Sequence, residues 1–360
     1  MSQIPSSMIA VVSTGELGKV HLKNTPVPKP GSGQILVKVI AAAQNPSEWM
    51  KLTRTATPDV PAGHDFAGIV VGIGPDVPVG LRNVGERVAG FVNGCFSLEL
   101  GGTFAEYTLA DAQVLVTIPE KLSFEDAATI GLAGFTACQT LWQSQSLPNP
   151  LEPSTTNVPI FVHGGASSVG QIVIQLAKLS GLHVVSTASS RNHQLLRDLG
   201  ADDVFDYRDP EVSKKVREAT NGGLEHVVDC IASAETARLI RECVRENTAH
   251  VSSVLDTDVA GGNIKADFPF VYTLLGKAIV AGPVLPPSLA FPPIPEHYEL
   301  GKKFGSLLSR LLAEEKLKTT PVKLVPNGLA DAQYWIEYQQ QGKISAEKIV
   351  YRIADTPALS

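Results

Sequence analysis

The chain has 360 residues and a formal net charge of −6, with 44% hydrophobic and 18% charged residues. This length indicates two domains with ample core, and the composition is typical of a globular protein rather than a disordered one. The negative charge, without any run of Lys or Arg, argues against binding to nucleic acid.

The N-terminus and the cysteines predict a cytoplasmic protein. No basic stretch followed by a long apolar core opens the chain, so we predict no signal peptide. No uncharged apolar stretch reaches the roughly 20 residues of a spanning helix, so we expect no membrane segment. Cys95, Cys138, Cys230 and Cys243 form no CxxC pair. Free thiols in a reducing cytosol fit this spacing best.

Short β-strands dominate the first third of the chain. Strand-like runs separated by Gly, Pro and Asp turns lie at residues 34–43, 67–74, 86–92 and 104–110. Such closely spaced strands predict a partly open β-barrel. One helical section is predicted over residues 122–143.

A strand, a turn of small residues and an amphipathic helix follow one another over residues 159–181. Three apolar residues lead into Gly164 and Gly165, and a helical pattern then runs from Val169 to a stop at Gly181. Glycines let the backbone approach a pyrophosphate, and the free N–H groups at the helix start bind it. This turn therefore predicts a dinucleotide-binding fold.

The next strand, HVVST, ends in a polar segment at residues 188–192. An NAD enzyme carries an acidic residue there for the ribose hydroxyls, but no Asp or Glu stands between Gly181 and Arg191. Two hydroxyls, a guanidinium and an amide suit a 2′-phosphate instead, which predicts NADPH. The alternative is a polar turn that caps the next helix, with Ser190 or Asn192 as the N-cap.

Strands and helices alternate from residue 160 onward, which predicts an α/β fold with a parallel sheet. A proline-rich segment at residues 284–299 is predicted to be a long loop. Helices near residues 301–315 and 330–341 and a strand at residues 348–353 are predicted to end the chain.

These blocks resemble the medium-chain dehydrogenase/reductases over nearly the whole chain. The resemblance rests on NPSEWM (45–50), GHDFAGIVVGIG (63–74), VGERVAGF (84–91), GGTFAEY (101–107), GGASSVG (164–170), LGADDVFDYRD (199–209) and ISAEKIVYRI (344–353). It implies a GroES-like substrate domain from residues 1–125 and 315–360, with a Rossmann NADP-binding domain from residues 126–314.

Many members of this family are zinc enzymes, but the ligand set is incomplete here. Asn45 stands near the position of the first ligand, a Cys, and His64 alone remains from the second motif. Cys138 lies about one turn from the place of the third ligand. A catalytic zinc needs three protein ligands, so we expect no metal.

Zinc-free members mostly reduce activated C=C bonds, and the chain most resembles the stand-alone, trans-acting enoyl reductases of fungal polyketide synthases. The passages GADDVFDYRDP, VVDCIAS and ISAEK, and Ser167 and Ser168 in the turn, suggest this group. The resemblance implies NADPH-dependent reduction of a carrier-bound enoyl thioester, with a polyketide synthase as partner, in secondary metabolism. Two alternatives stay open: an NADPH:quinone or small-enone oxidoreductase, and a non-catalytic NADPH-binding protein.

Carried over by position, the resemblance implies two sets of site residues. The implied cofactor contacts are Ser47, Glu48, Trp49, Met50, Gly165, Ala166, Ser167, Ser168, Val169, Ser189, Ser190, Arg191, Asn192, Tyr207, Ile344 and Ser345. The implied substrate contacts are Phe135, Thr136, Tyr272, Thr273, Leu274 and Leu275.

Several of these residues have a plainer reading. Tyr207 is equally well read as a packed strand-end aromatic, and apolar residues are usually core. Many relatives have Lys where this chain has Met50, and the neighbouring Lys51 is more often a solvated charge than a catalytic donor. No residue is an obvious general acid, so no catalytic residue is assigned.

Overall fold

The computed structural model describes residues 4–96, 101–244, 248–280, 282 and 287–359. Contacts divide the chain into two compact units. The terminal unit comprises Met1–Leu132 and Tyr272–Ser360, and the central unit comprises Ala133–Val271.

The strands are β1 (Ser7–Ser13), β2 (Val20–Pro26), β3 (Gln34–Ala43), β4 (Asp65–Ile73), β5 (Arg87–Phe91), β6 (Tyr107–Asp111), β7 (Val116–Thr117), β8 (Pro159–His163), β9 (His183–Ala188), β10 (Asp203–Asp206), β11 (His226–Asp229), β12 (Ala249–Ser253), β13 (Ile264–Asp267), β14 (Val322–Val325) and β15 (Lys348–Arg352). The α-helices are α1 (Pro46–Leu52), α2 (Phe124–Ala127), α3 (Gly131–Cys138), α4 (Ser168–Leu179), α5 (His193–Asp198), α6 (Val212–Ala219), α7 (Ala234–Val244), α8 (Pro295–Ala313) and α9 (Ala332–Gln340).

The terminal unit is built on a seven-stranded sheet with the order β14-β15-β3-β4-β5-β7, and β6 pairs with β3. The long β3 and β4 pair in antiparallel register with two irregularities, which bend the sheet. Its core packs aromatic side chains against each other, with the rings of Phe104 and Tyr351 4.9 Å apart. The β-rich N-terminal third predicted from the sequence is confirmed.

Helix α8 belongs to the terminal unit and packs closely on it. A Cβ atom at Gly305 in α8 would lie 2.5 Å from the carbonyl oxygen of Leu115, so only a glycine lets the helix approach this closely. The sequence analysis assigned residues 126–314 to the nucleotide-binding domain. The division by contacts differs chiefly in that it places residues 272–314 in the terminal unit. The predicted domain boundaries stay a prediction.

The central unit contains a six-stranded, fully parallel sheet with the order β10-β9-β8-β11-β12-β13. Numbered along the unit, this order is 3-2-1-4-5-6, the order of the Rossmann fold. The α/β class is therefore confirmed. The sixth strand, β13, was not foreseen, because its sequence IKAD has only one buried apolar residue to mark it.

Two predicted elements differ in the structure. The helical section at residues 122–143 is divided into α2, α3 and a π-helical segment, Gln139–Ser144. At the first break, a Cβ atom at Gly131 would lie 2.4 Å from Asp65 Oδ1, because the chain passes directly over this carboxylate. The predicted proline-rich loop is wrong from residue 295 onward, since Pro295 occupies the first turn of α8, where its fixed φ favours helix. Residues 284–286 of that segment lie outside the described residues.

All four cysteines are buried, free thiols. In the described part of the chain, no helix is both long and apolar enough to cross a membrane.

A buried ion pair joins two strands of the terminal unit. Lys348 Nζ lies 2.6 Å from Asp65 Oδ2, and both side chains are at most 2% exposed. Asn45 completes the cluster, donating to Asp65 and accepting from Lys348.

We expect Lys348→Met to lower the free energy of unfolding by about 3–5 kcal/mol, because it leaves a buried carboxylate unpaired. The control is Lys19→Met, which breaks an exposed pair with Glu337 and should cost about 0–1 kcal/mol. Chemical denaturation of the two variants measures both values. Equal losses would show that burial of the first pair has no energetic consequence.

Candidate active site

The glycine-rich turn between β8 and α4 has the geometry of a pyrophosphate cradle. A Cβ atom at Gly165 would lie 2.2 Å from Ser186 Oγ, so the backbone lies against β9. Ser167 is the N-cap of α4 and accepts a hydrogen bond from the Gly170 N–H. The cofactor residues predicted at 165–169 thus come together at the start of a 12-residue helix, where N–H groups and the helix dipole favour a phosphate.

A second loop lies over this turn and was given no role by the sequence analysis. Ile231 lies directly against Gly164: a Cβ atom at Gly164 would be 2.5 Å from Ile231 Cγ1. Buried Asp229 fixes the loop by accepting from the Ile231 and Ala232 N–H groups and from the Thr236 hydroxyl. Ile231 remains 47% exposed. The signal in the sequence was the VVDCIAS passage, which places a carboxylate at the end of a parallel strand.

The polar segment after β9 forms a short 3-10 turn, Ser190–Asn192. Arg191 is exposed, and its guanidinium makes no ion pair with any residue that the structure describes. Asn192 stands at the N-cap position of α5 without a capping bond, and its amide instead donates to Ser189 Oγ. Asn192 thus takes the N-cap position that the alternative reading gave it, and the choice between that reading and a phosphate site stays a prediction.

An acidic residue reaches the same turn from the neighbouring strand. Asp206 pairs in register with Ala188, at the end of β9, and accepts a hydrogen bond from the Ser190 N–H. Arg208 holds this carboxylate through two hydrogen bonds of 2.9 and 2.7 Å, which lower the pKa of Asp206. Tyr207, between them, is 50% exposed. The sequence analysis missed both Asp206 and Arg208, because pairing between strands is not readable from residues 188–192 alone.

A polar cluster at the far edge of the parallel sheet has the residue types of a hydrolase triad but not its geometry. His250 Nε2 lies 3.3 Å from Ser144 Oγ and 3.0 Å from Asp267 Oδ2. One ring nitrogen thus faces both oxygens, whereas a triad uses one nitrogen for each. This cluster holds β12 and β13 to the π-helical segment.

In the terminal unit, α1 carries a buried chain of ionisable groups. Glu48 accepts from the Asn45 N–H at the helix start and lies 2.8 Å from His64 Nδ1. The other ring nitrogen, His64 Nε2, lies 2.9 Å from Lys51 Nζ. Glu48 and His64 are fully buried and Lys51 is 5% exposed. The expectation of a solvated Lys51 is therefore wrong: the helix turns this side chain inward.

Burial shifts the pKa of each member of this chain. It raises the pKa of Glu48 to about 7 and lowers that of Lys51 to about 7. It also lowers the pKa of His64 well below its usual value, and the nearby Lys51 acts in the same direction. His64 is therefore a neutral imidazole that donates through Nδ1 to Glu48 and accepts through Nε2 from Lys51.

Tyr272 covers the cation from the other side. The Lys51 Nζ lies 4.0 Å from the centre of its ring, and the His64 ring lies 5.7 Å away. Burial raises the pKa of Tyr272 well above its usual value, and the nearby Glu48 acts in the same direction. The cation–π contact adds to the stabilisation that the hydrogen-bond acceptors of Lys51 give to its charge.

Tyr272 also lines a groove on the terminal unit. Its lining is mixed: apolar and aromatic side chains (Phe91, Val92, Leu109, Ala110, Tyr272, Leu275, Ala278 and Ile279) stand beside the polar Gln34, Asn93, Asp111 and Lys277. Two of the predicted substrate residues, Tyr272 and Leu275, thus face one groove. Asn93 joins the groove to the buried chain, because its Oδ1 lies 2.7 Å from Lys51 Nζ.

The remaining predicted residues are spread over the two units. Phe135 and Leu274 are fully buried, and Thr273 is 4% exposed. Trp49 packs on the core of the terminal unit, and Met50, Thr136, Ile344 and Ser345 are partly buried. The predicted contacts of all these residues, and of Glu48, with cofactor or substrate stay predictions.

The residues present do not fit a zinc ion. Both nitrogens of His64 are engaged, one by Glu48 and one by the Lys51 ammonium. Among the described residues, no three His, Cys, Asp or Glu side chains are grouped so that they could hold a metal. A lysine ammonium thus occupies the place beside His64 Nε2 that a metal ion would need.

Comparisons with known proteins agree with this architecture. Residues 31–120 match the alcohol dehydrogenase GroES-like domain, and residues 168–259 match the zinc-binding dehydrogenase domain. The chain is 34% identical to the trans-enoyl reductase FSL5 of Gibberella zeae, over 98% of this chain and 99% of that protein.

Solved structures of known oxidoreductases share this fold. A quinone oxidoreductase from Coxiella burnetii is 25% identical, with a TM-score of 0.71 over 96% of this chain and 99% of its own. A putative zinc-dependent alcohol dehydrogenase from Rhizobium etli, 24% identical, shares the fold with a TM-score of 0.79 over 99% and 100% of the two chains.

A GroES-like domain joined to a Rossmann sheet is the architecture of the medium-chain dehydrogenase/reductases, which are oxidoreductases that bind a pyridine nucleotide. Within that superfamily, the chain belongs to the trans-enoyl reductases. The resemblance inferred from the sequence is confirmed.

We expect the purified protein to contain no stoichiometric zinc, and EDTA to leave its activity unchanged, because one engaged imidazole cannot hold the ion. Elemental analysis of the protein before and after chelation measures this. One equivalent of zinc that leaves together with activity would contradict it.

Proposed function

We propose that this enoyl reductase uses NADPH to reduce the α,β-C=C bond of a polyketide enoyl thioester, delivered by the carrier domain of a separate synthase. NADPH, when bound, supplies the hydride. The observation that carries the proposal is the groove of the terminal unit, which has apolar and polar lining residues and a buried cation directly behind its wall.

The cofactor assignment is supported by the charges around the turn after β9. Arg191 is exposed without an ion pair to a described residue, which leaves its guanidinium available to a phosphate. Asp206 would repel a 2′-phosphate, but Arg208 neutralises it through two hydrogen bonds. Together with Ser189 and Ser190, these residues fit a 2′-phosphate better than two ribose hydroxyls.

The substrate assignment is supported by the lining of the groove. Phe91, Leu109 and Ile279 give it an apolar part that suits an alkyl chain, and Asn93, Asp111 and Lys277 give it polar groups that suit a thioester. Conjugate reduction needs no Lewis acid if hydrogen bonds stabilise the negative charge that develops on the carbonyl oxygen. The cluster at His64 provides a cation and donors but no ligand set for a metal.

We expect Arg191→Ala to weaken NADPH binding by about 1.5–3 kcal/mol, with little effect on NADH, because it removes a charged hydrogen bond to the 2′-phosphate alone. Arg208→Ala should act in the same direction, because it frees the Asp206 carboxylate beside the same site. Titration of each variant with both cofactors measures the changes. Arg238→Ala, on the exposed side of α7, is the matched control and should change neither affinity.

Equal affinity of the wild-type protein for NADPH and NADH would contradict the cofactor assignment. A loss of both affinities to the same extent in Arg191→Ala would show that this residue supports the turn and does not select the phosphate.

We expect enoyl-pantetheine thioesters to be reduced to saturated thioesters that carry deuterium at the β-carbon when the NADPH is deuterated at C4. Mass spectrometry and NMR of the product locate the label. Deuterium at a carbinol carbon would mean carbonyl reduction and would overturn the proposal. Turnover of quinones or small enones without turnover of thioesters would favour the alternative oxidoreductase.

A further inference from the structure

The Lys51 ammonium has a full set of acceptors. Its Nζ lies 2.9 Å from His64 Nε2, 2.7 Å from Asn93 Oδ1 and 3.2 Å from the carbonyl oxygen of Gly94. An ammonium carries three N–H donors and no acceptor, so each donor has one acceptor here. The ring of Tyr272 closes the remaining side. The cation is therefore held at a fixed point behind the groove.

This arrangement determines how the Asn93 amide is turned. Because the protonated Lys51 can only donate, the atom that faces it must be the amide oxygen and not the nitrogen. The Nδ2 group then points the other way. Asn93 lines the groove, and among the described residues its Nδ2 has no hydrogen-bond acceptor. The amide therefore presents two N–H donors to the groove. The Lys51 cation, bound to the oxygen of the same amide, polarises them.

We propose that Asn93 Nδ2 donates to the carbonyl oxygen of the substrate and stabilises the enolate that forms there, with Lys51 as the residue that positions and polarises this amide. The inference rests on the proposed function and deepens it, since it names the donor that reduction without a metal requires.

The electron balance of the step shows why a donor is needed at that oxygen. Hydride from NADPH forms the new C–H bond at the β-carbon, and the π electrons of the C=C bond move to give a Cα=C–O⁻ enolate. Asn93 donates to this oxygen as its charge increases. A proton from water then forms the C–H bond at the α-carbon and restores the C=O bond, which leaves a saturated thioester, NADP⁺ and a hydroxide ion that the solvent takes up.

The key test is Asn93→Asp. The carboxylate has nearly the shape of the amide and can keep the bond to Lys51, but it presents an acceptor to the groove in place of two donors. We expect kcat to fall about 10²- to 10³-fold, the usual effect of losing one oxyanion donor. KM and the affinity for NADPH should change little, because the donor acts on the transition state. Asn24→Asp, on exposed β2, makes the same charge change and should leave kcat unchanged.

A second readout does not depend on turnover. Infrared difference spectra of a bound saturated thioester, labelled with ¹³C at the carbonyl, report the hydrogen bond to its oxygen. We expect the carbonyl stretch to lie at lower frequency in the wild-type protein than in Asn93→Asp. An unchanged frequency together with unchanged kcat would overturn the role of Asn93.

Lys51→Met tests the positioning role. The ionisable groups that face Lys51 are Glu48 on its own helix, His64 immediately before β4, Cys95 and Tyr272. Because burial lowers the pKa of Lys51 to about 7, its cationic form is lost as pH rises through that value. We expect wild-type kcat/KM to fall over this range, and Lys51→Met to be slower with no such fall.

The outcomes separate the two proposals. If the wild-type protein reduces only small enones, only the thioester assignment fails. Wild type and Asn93→Asp are then compared on those enones, because enones have the same carbonyl oxygen. A wild-type protein that reduces no conjugated carbonyl compound would overturn the proposed function and this inference together. Full activity of Asn93→Asp on an acceptor that the wild-type protein reduces would overturn this inference alone.

Discussion

The structure of the terminal unit depends on the removal of ionisable groups from water at the point where α1 meets β4. Glu48, His64 and Lys51 occupy successive places in one buried chain, and Asp65 and Lys348 form an ion pair beside it. Buried charge is tolerated only where every member has partners. Each side chain here has them, so the position of any one member constrains the others.

Lys51 connects this buried chain to the groove through its contacts with Asn93 and Tyr272. The start of α1 is fixed by the bond from the Asn45 N–H to Glu48, and the helix then delivers Lys51 one turn later on its inner face. Lys51 in turn contacts Asn93, just after β5, and the ring of Tyr272. A preorganised donor needs such support, because an amide that is free to rotate loses much of its stabilising effect when charge develops.

The sequence predicted those parts of the molecule that local pattern determines. The alternation of strands and helices was sufficient to predict the parallel sheet, and the small residues at 164–168 were sufficient to predict the turn before α4. Packing between distant segments was not readable. The glycines of α8 gave no sign that the helix lies against Leu115. Asp206 reaches the turn at residues 188–192 only because β10 pairs with β9.

Lys51 shows the same limit within the candidate site. A lysine in a short helix is usually solvated, and nothing local marks this one, because its partners His64 and Asn93 lie 13 and 42 residues further along the chain. Its burial becomes intelligible only once the sheet has brought those partners together.

The replacement of a metal by an ammonium has a chemical consequence for the reaction that this fold can support. A zinc ion binds a carbonyl oxygen directly and stabilises a full alkoxide, as reduction of a simple ketone requires. An ammonium with three protein acceptors has no open position, so its charge acts on a substrate only through the amide that it polarises. Such a donor suits an enolate, whose charge is already shared between oxygen and carbon. The buried cation therefore favours conjugate reduction over carbonyl reduction.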